Sequence, residues 1–341
     1  MSELRHDPIQ RRWVIVASDR GKRPLDFIPI TKEKKRSSAC PFCGDGVEKR
    51  IPHTIVDIKD DFNNWQVKSV PNKYPALKIE GNLEKQADGI FDIISGIGAH
   101  EVIIESPNHE EDIPSMSVEK IQKILIMYRN RLLDLQNDRR FKYIIIFKNH
   151  GEAAGASLEH PHSQIIATPI VPRTVSDELR SAREYYQLKE RCIFCDILNQ
   201  ELKDNKRIIY KDNYYVAMTP FASRFPFELM IAPIPKKHNH DFSQTSDTEL
   251  YHFAVVLKDV LSRLKKGLDD PPYNFLIHTS PNINANRRGT RYWDTLENDF
   301  HWHMEIIPRL TKKAGFEWGT GFYINPTPPE KAAEYLKKIK I

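Results

Sequence analysis

No apolar run in this 341-residue chain approaches the roughly 18 to 20 residues that cross a bilayer, which excludes a membrane-spanning protein. The first residues, MSELRHDPIQRRW, lack the apolar centre of a secretory signal, and the simplest address is the cytoplasm. A large charge imbalance is also missing. The 51 basic and 46 acidic residues leave only +5, too little to imply nucleic-acid binding on its own but compatible with an anionic small substrate. No block interleaves aromatic residues with Lys and Arg as a single-strand binder would, and Lys34, Lys35 and Arg36 read as a solvated loop. Cysteine is scarce, with four residues falling as two pairs, Cys40/Cys43 and Cys192/Cys195. A disulfide scaffold of this size would use more of them, spread more widely, so two C-x-x-C pairs point to metal or redox chemistry. Disorder is excluded for most of the chain, because apolar clusters such as Tyr143 to Phe147 recur. At about 150 residues per domain the length suggests two domains.

The chain is written twice. After each C-x-x-C an apolar strand runs out to a histidine, Val102–Glu105 to His109 and Phe227–Pro233 to His238. A long amphipathic helix follows in each half. Ile121, Ile124, Leu125, Tyr128, Leu132 and Leu135 mark one face of the first helix. Leu250, Phe253, Ala254, Leu257, Leu261 and Leu264 mark the second, at the same offsets. Ser246 and Glu249 form a capping box, and Asp269 to Pro272 stop that helix. Next come a strand (141–147 or 273–277), a Gly/Asn-rich loop, a His-x-His (His160/His162 or His301/His303) and a short apolar strand. Two tandem α+β units, each an antiparallel sheet with a long helix, are the economical reading, with halves at 1–171 and 172–341. Residues 173–190 predict a linking helix. Thr327 (as N-cap), Pro328 and Glu330 predict a last helix running to about Lys338.

Two thiolates and two histidines make a tetrahedral zinc site. The first half offers Cys40, Cys43, His109 and one of His160/His162. The second offers Cys192, Cys195, His238 and one of His301/His303. Between Asn149 and Gln164 small residues lead up to the histidines. Gly155 and Ala156 would let backbone N–H groups approach a ligand, and Ser157 adds a hydroxyl, which is how a protein cradles phosphate. A histidine projecting into that cradle can attack phosphorus. Gln164 shares a strand face with His162, where its amide can donate to a phosphoryl oxygen as charge builds there.

The pattern Asn149-x-Gly151-x-x-x-Gly155-x-Ser157-x-x-His160-Pro161-His162-x-Gln164 closely resembles the active-site motif of galactose-1-phosphate uridylyltransferases. These are histidine-triad nucleotidyltransferases with two histidine-triad-like halves. The similarity spans essentially the whole chain and includes Arg12–Val16, Arg20–Pro24, Cys40–Cys43, Asn72–Ala76 and Ser106–His109. It implies ping-pong transfer of a nucleoside monophosphate from a UDP-hexose to a sugar 1-phosphate, as in galactose metabolism, with His162 as the nucleophile. It implies that His160 is the zinc ligand with Cys40, Cys43 and His109. Asn149, Gly155, Ser157 and Gln164 would hold phosphates, and Asn72 would meet base or ribose. Arg20 and Arg23 would reach phosphate or sugar, partly across a homodimer interface.

The second half departs from the pattern, with His301-Trp302-His303-Met304-Glu305. A carboxylate in the glutamine's place would repel a phosphoryl group. This half is therefore assigned to metal binding and structure, with His301 the ligand and His278 and His303 further possible ligands. His6, His53, His100, His150, His240 and His252 are read as having no part in the chemistry. The glycine-rich loop from Gly315 to Gly321, with Phe316 and Gly319 as candidate substrate contacts, looks more like the ADP-glucose phosphorylase branch. That resemblance brings in adenylyl donors, ADP-glucose or adenylyl sulfate, with phosphate as acceptor. A zinc protein that only binds nucleotide or RNA, and a hydrolase of the same fold, are the competing readings.

Overall fold

The computed structural model describes residues 2–17, 40–43, 53–285 and 294–341. Its strands are β1 (Glu3–Asp7), β2 (Arg12–Val16), β3 (Val56–Lys59), β4 (Trp65–Pro71), β5 (Lys85–Asp88), β6 (Phe91–Ile94), β7 (Ala99–Ile104), β8 (Tyr143–His150), β9 (His162–Thr168), β10 (Ile208–Lys211), β11 (Tyr215–Met218), β12 (Leu229–Pro233), β13 (Tyr273–His278), β14 (His303–Pro308) and β15 (Tyr323–Asn325). The helices are α1 (Val118–Leu135), α2 (Arg173–Lys189), α3 (Ile193–Asp204), α4 (Asp247–Leu268), α5 (Leu296–Asp299), α6 (Gly315–Thr320) and α7 (Pro329–Lys338).

Ten strands form one antiparallel sheet in the order β10-β11-β12-β14-β13-β8-β9-β7-β4-β3. Read outward from its middle, the order is the same twice: β8-β9-β7-β4-β3 in the first half and β13-β14-β12-β11-β10 in the second. The two halves meet where β8 pairs with β13, from Tyr273 opposite His150 to Ile277 opposite Ile146.

The apolar stripes of α1 and α4 lie side by side on one face of this sheet. Tyr128 and Leu132 of α1 and Phe253 and Leu257 of α4 share a core with Ile103, Ile144, Ile165, Phe275 and Ile306 from the strands. Ser117 caps α1 by accepting from the Lys120 N–H. The Ser246–Glu249 capping box starts α4, and Asp269 ends it in the left-handed region at φ 56. Period-two alternation then divides β9. Ile165 and Ala167 join the helix-side core, which turns His162 and Gln164 to the opposite face. In β14, Met304 and Ile306 go to the core and His303 and Glu305 to the other side.

The opposite face carries two smaller clusters. Cys40, Phe42, Val102 and Ile104 cover the first half, while Tyr143, Leu179, Phe194 and Phe300 form the counterpart around α2 and α3. A separate three-stranded sheet joins the hairpin β1–β2 to β15, which runs parallel to β2. The hairpin β5–β6 stands away from the main sheet with every residue exposed. No helix among the described residues is long and apolar enough to cross a membrane.

Two local expectations are corrected. The last helix is capped by Pro328 and begins at Pro329, and the Thr327 hydroxyl is buried with no hydrogen-bond partner among the described residues, so it caps nothing. The Gly315–Gly321 stretch is a short helix rather than an open loop. Glu317 accepts from the Ala314 N–H at 2.9 Å, and the Thr320 hydroxyl donates to the Phe316 carbonyl at 2.7 Å. Gly321 then closes the helix at φ 72.

Leu257 lies within the helix-side core at 1 % exposure. Leu257→Ala is expected to lower the free energy of unfolding by about 2 to 5 kcal/mol, measured by denaturant titration.

Candidate active site and metal centres

The structure brings Cys40, Cys43, His109 and His160 together, with one ligand atom of each within 4.8 Å of the others. Cys43 Sγ is 3.2 Å from His109 Nδ1 and 3.4 Å from His160 Nδ1, and the two Nδ1 atoms are 3.3 Å apart. A tetrahedral ion bound at about 2.0 Å to nitrogen and 2.3 Å to sulfur has ligand edges of about 3.3 to 3.8 Å, so the donor set fits one. His160 Nε2 donates to the Ser106 carbonyl at 2.8 Å, which leaves Nδ1 as the ligating atom. Cys192, Cys195, His238 and His301 form the same group in the second half. Cys195 Sγ lies 3.2 Å from His238 Nδ1 and 3.5 Å from His301 Nδ1. His301 Nε2 donates to the Pro233 carbonyl and His238 Nε2 to the Glu297 carbonyl, each at 3.0 Å. Burial brings His160 down to about 4 and His301 down to about 3, so both are held in the neutral form that binds metal.

His162 opens β9 just beyond the first cluster. Its Nδ1–H donates to the His160 carbonyl at 2.8 Å, which fixes the tautomer and leaves the Nε2 lone pair with no partner among the described residues. Phe42, from the C-x-x-C turn, packs against both rings at 5.7 Å from His160 and 5.8 Å from His162. Burial and then the Lys148 charge lower the His162 pKa, so the ring is neutral at pH 7.

Behind β9 lies a network that the sequence did not reveal. Lys148 Nζ donates to Glu105 Oε2 at 2.6 Å and to the His162 carbonyl at 3.0 Å. The Tyr128 hydroxyl donates to Glu105 Oε1 at 3.1 Å and hydrogen-bonds Ser163 Oγ at 2.7 Å.

His100 was the second omission. The Ala76 N–H donates to His100 Nδ1 at 3.1 Å, so the proton sits on Nε2, which donates to Gln164 Oε1 at 2.7 Å. With its oxygen engaged, Gln164 directs its NH2 away from His100. The one available signal was register, since His100 lies two residues before Val102, the partner of Gln164 across the ladder. Asn72 is also held: its Oδ1 accepts from the Tyr74 N–H at 2.8 Å, and its Nδ2 lies 3.4 Å from Gln164 Oε1.

The small-residue turn differs from expectation. The Gly155 N–H donates to the Glu152 carbonyl and the Ala156 N–H to the Gly151 carbonyl, so neither is free for a ligand. Gly155 is needed instead for its left-handed φ of 88. Ser157 keeps its hydroxyl without a partner among the described residues. Asn149 Oδ1 accepts from Asn274 Nδ2 at 2.8 Å. Arg20 and Arg23 lie outside the described residues. Phe316 and Gly319 sit on α6 beside β15. Phe316 meets Phe322 edge-on, and neither residue has a hydrogen bond or ring contact with the His162 group among the described residues.

In the second half His303 repeats the geometry of His162, with Nδ1 donating to the His301 carbonyl at 3.1 Å. Its surroundings are ionic. Glu305 pairs with Arg224 at 2.6 Å, and His278 Nδ1 donates to Glu178 at 2.8 Å. Glu178, His278 and His303 form a third group with ligand atoms within 4.8 Å of one another. Burial would raise the Glu305 pKa, but Arg224, with His278 and His303, outweighs it and holds the carboxyl ionised.

Residues 1–172 match the sequence profile described as galactose-1-phosphate uridyl transferase, N-terminal domain, and residues 178–334 match its C-terminal domain. An ADP-glucose phosphorylase from Arabidopsis thaliana is 37% identical, covering 99% of this chain and 93% of that protein. A galactose-1-phosphate uridylyltransferase from Thermotoga maritima is 31% identical, covering 100% and 99%. Among solved structures, an A. thaliana ADP-glucose phosphorylase with bound ADP-glucose superposes with a TM-score of 0.83 at 33% identity, over 100% of both chains.

Each Cys/His group is expected to hold one metal ion. Elemental analysis of the purified protein should find about two ions per chain. Cys43→Ser should remove one, Cys195→Ser the other, and the double variant both.

Proposed function

Because the chain belongs to the galactose-1-phosphate uridyl transferase family, we propose that His162 carries a nucleoside monophosphate from a nucleotide sugar to a sugar 1-phosphate. The observation that carries this reading is the His162 ring, whose Nδ1 is committed to the His160 carbonyl. That leaves Nε2 as a nucleophile on the strand face shared with Gln164.

The reaction runs in two displacements. His162 Nε2 forms a bond to the α-phosphorus of the donor while the bond from that phosphorus to the bridging oxygen breaks, releasing the sugar 1-phosphate. An oxygen of the acceptor's phosphate then attacks the same phosphorus, and the N–P bond breaks. The NH2 of Gln164, turned outward by His100, donates to the phosphoryl oxygens as charge builds on them. Asn149 and Ser157 hold the flanking phosphates, with Gly155 shaping the turn between them. Lys148 keeps the histidine neutral before attack, and its bond to the His162 carbonyl holds the end of the strand.

The two-sulfur, two-nitrogen donor sets favour zinc at Cys40, Cys43, His109 and His160 and at Cys192, Cys195, His238 and His301. Zinc there supplies structure, bracing the residue two before the nucleophile. Residues 1–171 carry the chemistry, and 172–341 serve metal binding and support. The active unit is a homodimer. The hairpin β5–β6, which exposes Ile90, Phe91 and Ile93, supports a covering partner.

UDP-hexose with a hexose 1-phosphate acceptor follows from the family. A second reading, ADP-glucose with phosphate as acceptor, is favoured by one observation: the identity to the ADP-glucose phosphorylase is 37%, against 31% to the uridylyltransferase. Turnover with UDP-glucose plus galactose 1-phosphate, ADP-glucose plus phosphate, and adenylyl sulfate plus phosphate separates the donors. A rate with the uridylyl pair below about a hundredth of an adenylyl rate, roughly 2.7 kcal/mol in transition-state binding, eliminates the first reading.

The adduct is directly testable. With donor and no acceptor, intact mass should rise by one nucleoside monophosphate, and His162→Asn should fold but stay unmodified. Survival of the adduct in that variant would overturn the assignment. Protonation removes the Nε2 lone pair, so the rate of adduct formation should be flat at neutral pH. It should fall in acid with a midpoint below the ordinary histidine value of about 6.5. Lys148→Met should move that midpoint upward.

A further inference from the structure

The second half carries no nucleophile chemistry of its own, yet one of its side chains reaches the turn before His162. Asn274 lies on β13 directly opposite Asn149 on β8. Its Nδ2 donates twice, to the Ala154 carbonyl at 2.8 Å and to Asn149 Oδ1 at 2.8 Å.

The two contacts fix two amides without ambiguity. A backbone carbonyl only accepts, so the group of Asn274 that faces Ala154 must be its NH2. The same NH2 faces Asn149, so the atom Asn149 presents in return must be its oxygen. The Asn149 NH2 therefore points the other way. It lies 3.7 Å from where a Cβ on Gly155 would stand, over the turn that leads to Ser157. It has no partner among the described residues, so it is a pre-set donor.

The symmetry of the sheet argues that this contact serves the site. Gln164 pairs with Phe147, and Glu305, its counterpart, pairs with Leu276. Two residues before Leu276 is Asn274, and two residues before Phe147 is Ile145. Ile145 packs in the apolar cluster around α2 and α3. The polar residue occurs on only one side of the dyad, the side that faces the first half's turn. The neighbouring contact is tight as well: a Cβ on Gly151, at φ 80, would stand 3.0 Å from Pro272.

We propose that Asn274 is a positioning residue of the active site, set in the opposite half of the chain, which turns the Asn149 amide so that its NH2 faces the bound phosphates. This rests on the reading above, in which Asn149 holds those phosphates.

Asn274→Asp tests it best, because the carboxylate matches the amide in shape and has no N–H. The variant should keep its melting temperature within a few degrees and its metal content unchanged. The rate of nucleotidyl-His162 formation at saturating donor should fall about 10- to 100-fold, less than the roughly 100- to 1,000-fold lost when an oriented donor is itself removed. Asn274→Ala should cost much in the wild type and less than about twofold when added to Asn149→Ala, since coupled residues are not additive. A fall of less than about twofold in both single Asn274 variants, or penalties that multiply in the double variant, would overturn the proposal. A second readout does not depend on activity. In protein labelled with 15N at asparagine side chains, the Asn149 NH2 signal, identified by its loss in Asn149→Ala, should move in Asn274→Asp. An unmoved signal overturns the proposal whatever the rates show. If the wild type forms no adduct at all, the nucleotidyl-transfer reading falls, while the amide signal still decides whether Asn274 orients Asn149.

Discussion

The pairing of β8 with β13 is the constraint on which the rest of the molecule depends. Each half supplies five strands, and neither buries both edges of its own sheet. Joining them makes β8 and β13 interior strands and removes two unpaired edges at once. The same register sets Pro272 against Gly151 and Asn274 against Asn149, and stacks Tyr273 on His150 with ring centroids 4.7 Å apart. The turn before His162 is thus shaped from both halves, although every residue of the His-x-His-x-Gln run belongs to the first.

The two copies share a frame and differ in what they hang on it. Both keep the Cys/His group, both place a phenylalanine of the C-x-x-C turn against the histidines, and both fix the second histidine of the His-x-His through the carbonyl of the first. They part at the next position on the strand. Gln164, oriented by His100, presents N–H groups. Glu305 accepts from Arg224, which also pairs with Glu228, and Glu228 stands two residues before Met230 just as His100 stands two before Val102. A neutral donor relay in one half corresponds, in the other, to an ionic triad of one guanidinium between two carboxylates. A phosphoryl group would have to displace Arg224 from two carboxylates to enter there, an expensive exchange in a buried setting.

Much of this was legible in the sequence where a local rule applied. The matching apolar offsets gave both long helices, the capping box marked the start of α4, and the paired motifs gave the two Cys/His groups. What escaped was whatever depends on register between strands distant in sequence. A lone histidine at position 100 looks ordinary until β7 is laid against β9, and Asn274 looks like a polar residue in an apolar strand until β13 meets β8. Lys148 and Glu105 are likewise 43 residues apart and meet only across the sheet. The turn at Gly155 failed for another reason: small residues permit close approach by a ligand, but they equally permit the chain to satisfy its own N–H groups. The Gly315–Gly321 run shows that composition suggests a loop only when no cap intervenes. Glu317 supplied one.

The parallel contact between β2 and β15 has a consequence for synthesis. The five strands of the first half are complete by Thr168, but β8 stays an open edge until β13 emerges at Tyr273, and β2 waits for a neighbour that begins at Tyr323. Because chains emerge from their N-terminal end, both edges are finished only by segments that follow much later in the chain. The first half-sheet therefore stays unclosed while everything from α2 to α4 is made, β13 ends that exposure, and β15, the last strand, closes the edge of β2 last of all.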